Sequence, residues 1–158
     1  MATQGNSSLY HIDAGILKEN ACVVLVKTEW NAAIVDALEA GCKTIFEQYR
    51  VQYKTLLVPG AIELPFAIKR YWERHKENQA PDAFIALGCV IKGDTPHFDY
   101  VCHAVTEGVL QLNLMLPVPT IFGVLTVNNE AQALERIGGA HGHKGEEAAI
   151  TALKMIHS

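Results

Sequence analysis

The apolar residues of this chain follow two alternating rhythms. Residues 21–26 (ACVVLV) form a short, unbroken, β-branched run, the pattern of a strand buried on both faces. Over 32–50 the apolar positions are Ile34, Val35, Leu38, Cys42, Ile45, Phe46 and Tyr49, which is helical spacing, with Asn31 placed to cap that helix. Residues 52–58 (QYKTLLV) predict a second strand, closed by Pro59-Gly60, and a helix follows over 61–76. Gln79, Ala80 and Pro81 make a break. A third strand is expected over 83–88, then a polar loop, then a long apolar helix over 98–115 that Pro117 and Pro119 end. Residues 120–126 (TIFGVLT) are the fourth strand. Asn128 or Asn129 would cap a short helix reaching Ile137, and the run GGAHGHKG breaks the chain. A last helix over 146–156 carries Ala149, Ala152, Leu153 and Ile156 on one face.

Buried strands alternating with helices imply a parallel sheet covered on both sides, with right-handed crossovers. The expected fold is a flavodoxin-like three-layer α/β/α sandwich with a four-stranded parallel sheet. An extra strand or arm is expected over 9–17, and residues 1–8 are read as flexible. The whole chain, 1–158, reads as one domain, without internal repeats or linkers. In open α/β sheets ligands bind beyond the carboxyl ends of the strands. Glu29-Trp30-Asn31, Gly60 to Glu63, Cys89 to His97 and the end of the fourth strand after Phe122 are assigned there.

Composition narrows the function. Apolar residues make up 49% and charged residues 19% of the chain, so it folds, with apolar surface to spare for a partner. A net charge of −4 without a basic cluster argues against nucleic-acid binding. No apolar run approaches the roughly 18 to 20 residues of a membrane span. The first residues lack the pattern of a secretory signal, so a cytoplasmic location is expected. The scattered cysteines, Cys22, Cys42, Cys89 and Cys102, read as buried free thiols. His141 and His143 form an H-x-H without a companion ligand at metal-site spacing, and no metal is expected.

Several residues bear chemistry, each with a plain structural alternative. Gly93, Asp94 and Thr95 precede a helix, where free backbone N–H groups and the helix dipole suit a phosphate, and His97 stands beside them for proton transfer. The same loop also reads as a capping turn with a surface histidine. It is not a Walker loop, because Asp94-Thr95 stands where Lys-Ser or Lys-Thr is required, and no dinucleotide fingerprint is present. Glu63 either complements a helix dipole or binds ligand hydroxyls. Trp30 either packs or offers a stacking surface for a flat heterocycle. Phe122 reads as core, Arg136 as a base near a helix end, and Lys144 as a solvated loop residue.

Taken together the segments resemble the lumazine synthases, from about Leu9 onward. The matching stretches are VPGAIELP (58–65), ALGCVIKGDTPHFDYV (86–101), IFGVLT (121–126), QALER (132–136) and Lys144-Gly145 before an Ala-rich helix. The resemblance implies condensation of 5-amino-6-(D-ribitylamino)uracil with 3,4-dihydroxy-2-butanone 4-phosphate, giving 6,7-dimethyl-8-ribityllumazine, phosphate and water, in riboflavin biosynthesis. It implies no metal and no cofactor. Trp30 would stack on the pyrimidine, with Asn31 beside it. Ala61, Ile62 and Glu63 would line the ribityl chain. The backbone of Cys89, Val90 and Ile91 would read the polar edge of the ring. Gly93, Asp94, Thr95 and Arg136 would hold phosphate, and His97 would transfer protons. Phe122, Arg136 and Lys144 would come from a neighbouring subunit, since the family builds its sites within a homopentamer. Some members assemble twelve pentamers into a 60-subunit icosahedral capsid, and the short stretch 138–145 tilts this chain that way. Riboflavin synthase is a candidate partner. Trp30 replaces the frequent Phe, Ile62 a frequent Phe or Trp, and Ala140 a Lys of some members.

Three rival readings stand beside it. A paralogue that only binds flavin or lumazine would keep the fold, but intact Glu63, His97 and Arg136 argue against that. A signalling domain of the same fold needs a phosphoacceptor Asp pocket, which is missing. A protein valued only for its shell is compatible with activity.

Overall fold

The computed structural model describes residues 11–12 and 17–156. Its main sheet has four parallel strands: β1 (Cys22–Thr28), β2 (Gln52–Val58), β3 (Ala83–Ile91) and β4 (Thr120–Val127), in the order β2-β1-β3-β4. Helices α1 (Ala32–Gln48), α2 (Leu64–His75), α3 (His97–Met115), α4 (Glu130–Leu134) and α5 (Lys144–Ile156) connect and cover it. A short antiparallel pair, β5 (Ile137–Gly139) and β6 (Gly142–His143), lies between α4 and α5.

The side-chain alternation of β1 explains the three layers. Val23 and Leu25 point into one apolar cluster, packed by α1 and α5, and Val24 and Val26 point into the other, packed by α2 and α3. Strand β3 repeats the division: Ile85 and Leu87 face α1 and α5, while Phe84 and Ala86 face α2 and α3. Fully burying each such aliphatic or aromatic side chain is worth roughly 1.5–3 kcal/mol. A strand flanked on both sides in this way has no reason to alternate polar residues, hence the unbroken apolar runs.

Several expectations need correction. Strand β1 extends to Thr28, because its last residues stay paired with β2. Strand β3 extends to Ile91, so Cys89 to Ile91 belong to the ladder with β4 instead of a loop. The helix expected over 61–76 is a 3₁₀ turn (Ala61–Glu63) followed by α2, with Pro65 in its first turn, where a missing N–H costs nothing. Asn31 does not cap α1 through its side chain; it adopts the left-handed region, φ 57° and ψ 44°. Asn129 does cap α4, accepting from the Gln132 N–H at 2.9 Å. The run GGAHGHKG forms the β5–β6 pair, and α5 begins at Lys144. Cys42 and Cys89 are buried, whereas Cys22 and Cys102 are half-buried. The segment read as flexible, 1–8, and most of the arm over 9–17 lie outside the described residues; Ile12 and Leu17 pack against the α1–α5 cluster.

Candidate functional site

The carboxyl ends of β1, β2 and β3 converge through their turns. The Glu29 N–H donates to the Val58 carbonyl at 2.8 Å and the Trp30 N–H to the Pro59 carbonyl at 3.3 Å, which ties the turn after β1 to the turn after β2. Asn31 Nδ2 donates to the Cys89 carbonyl at 2.7 Å, tying the same turn to β3. Asn tolerates the left-handed backbone that this elbow needs.

Trp30, Gly60 and Glu63 come together at this edge. A Cβ on Gly60 would lie 3.0 Å from Glu63 Oε2 and 3.7 Å from Trp30 Cδ1. The indole and the carboxylate therefore flank one glycine; a Cβ there would crowd the carboxylate and rest in ordinary contact with the indole. Trp30 is 73% exposed, so it does not pack inside the subunit. Ile62, next to Glu63 in the chain, is 48% exposed. Among the described residues, the Glu63 side chain makes no hydrogen bond or ion pair. An exposed indole, an unengaged carboxylate and an apolar wall offer a flat apolar surface next to hydroxyl acceptors.

Cys89, whose carbonyl holds Asn31, is buried. Burial pushes its thiol up to about 11, with the Glu130 charge adding, so the thiol stays neutral near pH 7. The Lys92 N–H is engaged with the Val127 carbonyl at 2.9 Å, which holds the exit of β3 against β4.

Gly93, Asp94, Thr95 and His97 are all exposed on the loop into α3. Nothing lies within 4 Å of a Cβ placed on Gly93. Thr95 Oγ1 accepts from the His97 N–H at 3.4 Å, a turn contact just before α3, whose N-cap position, Pro96, offers no side-chain hydrogen bond. This contact leaves other N–H groups at the start of the helix for a ligand.

Phe122, Arg136 and Lys144 each have local partners of their own. Phe122 pairs with Ala86, five positions before the end of β4, and shares the face of Val124. At 41% exposure on an edge strand it is not a core residue. Arg136 Nη1 donates to the Gln132 carbonyl at 2.7 Å and lies 3.7 Å from Glu135. Lys144 opens α5 and pairs with Glu147 at 2.6 Å. His143 packs over Gly41 of α1 and accepts from the Glu146 N–H at 3.3 Å, while His141 approaches Glu135 at 3.7 Å. These histidines have separate partners. Among the described residues no group of three or more His, Cys, Asp or Glu could hold a metal ion, and no helix is long and apolar enough to cross a membrane.

Sequence reading did not single out Thr28. It is 3% exposed at the end of β1, and its hydroxyl donates to the Trp30 carbonyl at 3.1 Å. Its place at the end of an apolar strand, two residues before the indole, was the available signal.

A parallel sheet covered by helices on both faces defines the class: an open α/β protein, a kind that binds its ligands at the carboxyl ends of the strands, where Trp30, Gly60 and Glu63 meet. Comparison with known proteins narrows it. The profile of the 6,7-dimethyl-8-ribityllumazine synthase family matches residues 20–158. The 6,7-dimethyl-8-ribityllumazine synthase of Parabacteroides distasonis is 46% identical over 136 residues, 84% of this chain and 82% of that protein. The Bacteroides fragilis enzyme of the same name is 47% identical, covering 84% and 92%. The Porphyromonas gingivalis one is 43% identical over 153 residues, 95% and 92%. The chain belongs to the 6,7-dimethyl-8-ribityllumazine synthase family, whose members are transferases.

Proposed function

We propose that this site condenses 5-amino-6-(D-ribitylamino)uracil with 3,4-dihydroxy-2-butanone 4-phosphate, with the residue roles that follow. The observation that carries the assignment of roles is the convergence of Trp30, Gly60 and Glu63 where β1 and β2 end. Trp30 stacks on the pyrimidine. Ala61, Ile62 and the Glu63 carboxylate line the ribityl chain, whose hydroxyls suit an acceptor without another partner. The backbone at Cys89, Val90 and Ile91 meets the polar edge of the ring, next to Asn31. Gly93, Asp94 and Thr95, at the start of a 19-residue helix, receive the phosphate.

The uracil's 5-amino group attacks the ketone, and loss of water gives an imine. Elimination then expels phosphate and leaves an enol, which tautomerises to a ketone; the ribitylamino nitrogen attacks that carbonyl and closes the second ring with loss of a second water. His97 accepts and returns protons, which imidazole does well near neutral pH. Most of the acceleration comes from holding two substrates in register.

Phe122, Arg136 and Lys144 of a neighbouring copy complete the site. The exposed apolar surface of α3 and β4 supports this reading: Tyr100, Leu110, Leu114, Met115 and Phe122. A homopentamer, and twelve pentamers in a shell, follow from the same reading. Within the pentamer, the guanidinium of Arg136 clamps the phosphate.

The deciding experiment combines the purified chain with both substrates and follows lumazine absorbance and phosphate release. Equimolar products are expected, with Arg136→Ala much slower at low butanone phosphate. An assembled protein that gives no product above background would leave the ligand-binding paralogue as the better reading.

A further inference from the structure

We propose that Thr28 is a positioning residue that sets the pose of the Trp30 indole; the proposal rests on the reading of Trp30 as the stacking surface. Trp30 is the most exposed aromatic residue at the strand ends, at 73%, so packing inside the subunit cannot hold its ring. Its backbone is held instead. Its N–H donates to the Pro59 carbonyl at 3.3 Å, and its carbonyl accepts from Thr28 Oγ1 at 3.1 Å. The next residue, Asn31, is anchored separately to the Cys89 carbonyl at 2.7 Å. With the chain fixed on either side, the Thr28 hydroxyl determines how the Trp30 peptide is turned, and with it the direction of the Cα–Cβ bond.

Thr28 is itself fixed. It is 3% exposed, and its Cγ2 lies 3.3 Å from the Cβ position of Gly88 on the neighbouring strand. A buried, rigid β-branched side chain that donates to the backbone of an exposed aromatic is a suitable strut, because it loses little freedom in doing so. The site gains an indole already oriented before the ring arrives.

Thr28→Val keeps the shape and removes the hydroxyl, and Thr28→Ser keeps the hydroxyl. Steady-state kinetics should show Thr28→Val raising KM for the pyrimidine substrate about three- to tenfold, as expected for one neutral hydrogen bond, with a smaller effect on kcat. Thr28→Ser should restore most of the loss. In a Trp72→Phe background the remaining tryptophan reports on the indole directly, and Thr28→Val should lower its fluorescence anisotropy while Thr28→Ser should not. An unchanged KM with unchanged anisotropy in Thr28→Val overturns the proposal, as does equal damage from Val and Ser, which would assign the effect to packing. If the unmodified protein makes no lumazine, the assignment of the reaction fails, and the anisotropy comparison alone decides the role of Thr28.

Discussion

At the scale of single residues, the site divides into groups that are held and groups that are left available. Trp30 is held through its backbone and Asn31 through its side-chain amide, whereas the Glu63 carboxylate and the His97 ring face solvent. Glu63→Gln keeps the size but weakens acceptance from ribityl hydroxyls. We expect KM for the pyrimidine to rise roughly tenfold, as for a charge-assisted hydrogen bond, while KM for the butanone phosphate holds. Initial rates with each substrate varied in turn would check this. His97→Ala should slow turnover by roughly ten- to a thousand-fold without ending it, because general acid–base help is one part of the catalysis and positioning the larger part. Complete loss of turnover in a correctly assembled variant would contradict that division.

At the scale of elements, two contacts decide whether α1 is seated correctly behind the site. Gly145 of α5 lies against the backbone of Leu38, so that a Cβ there would overlap the Leu38 carbonyl oxygen. Gly145→Ala should therefore separate α1 from α5 and cost about 1–3 kcal/mol, read as a lower melting temperature. The second contact is ionic. Lys27, on β1, lies 2.9 Å from Asp36 and 3.1 Å from Glu39, and Lys43 lies 3.2 Å from Glu39. Burial pushes the Glu39 carboxyl up, but hydrogen bonds from Lys27, Thr55 and Lys43 outweigh it and hold the carboxyl below its ordinary 4.5. The stability this gives is present above 4.5 and is lost as pH falls through the lower folded value. The hydrogen bond to Asp36 leads the causes that hold Lys27 above its ordinary 10.5, so its contribution is present below 10.5 and is lost as pH rises through the higher folded value. Melting temperature against pH should fall less steeply below 4.5 in Glu39→Gln than in the unmodified protein. Equal acid limbs would remove Glu39 from the account.

At the scale of the whole molecule, the apolar residues left outside are as informative as those within. Leu114 is 75% exposed and Tyr100 73%, both on α3, and a surface of this kind is normally covered by a partner. If neighbouring subunits share each site, His97→Ala and Arg136→Ala damage opposite halves of it. Co-assembled from a mixture, the two variants should form some sites with both residues intact. We expect the mixture to exceed the sum of the two separate activities. A strictly additive result would place both residues in one subunit's site.

How much was legible in the sequence depended on range. The four strands and the long helices were legible because burial on both faces writes itself as apolar runs and helical spacing, as Val23–Val26 and the Ile34–Phe46 series demonstrate. Element ends were less so. The polar Lys27 and Thr28 hid the last turn of β1, although one pairs with Asp36 and Glu39 and the other donates to Trp30. Phe122 read as core because an apolar residue in an apolar strand carries no mark of standing at the sheet's edge; only the strand order β2-β1-β3-β4 puts β4 there. The cap expected at Asn31 failed for a similar reason, since its amide reaches a carbonyl 58 positions away. Local hydrogen bonding and apolar periodicity act over a few residues, so the chain alone determined the alternation, the layers and the motifs that place it in its family. The meeting of Trp30, Gly60 and Glu63, the burial that keeps the Cys89 thiol protonated and the engagement of Thr28 depend on parts of the chain that only folding brings together.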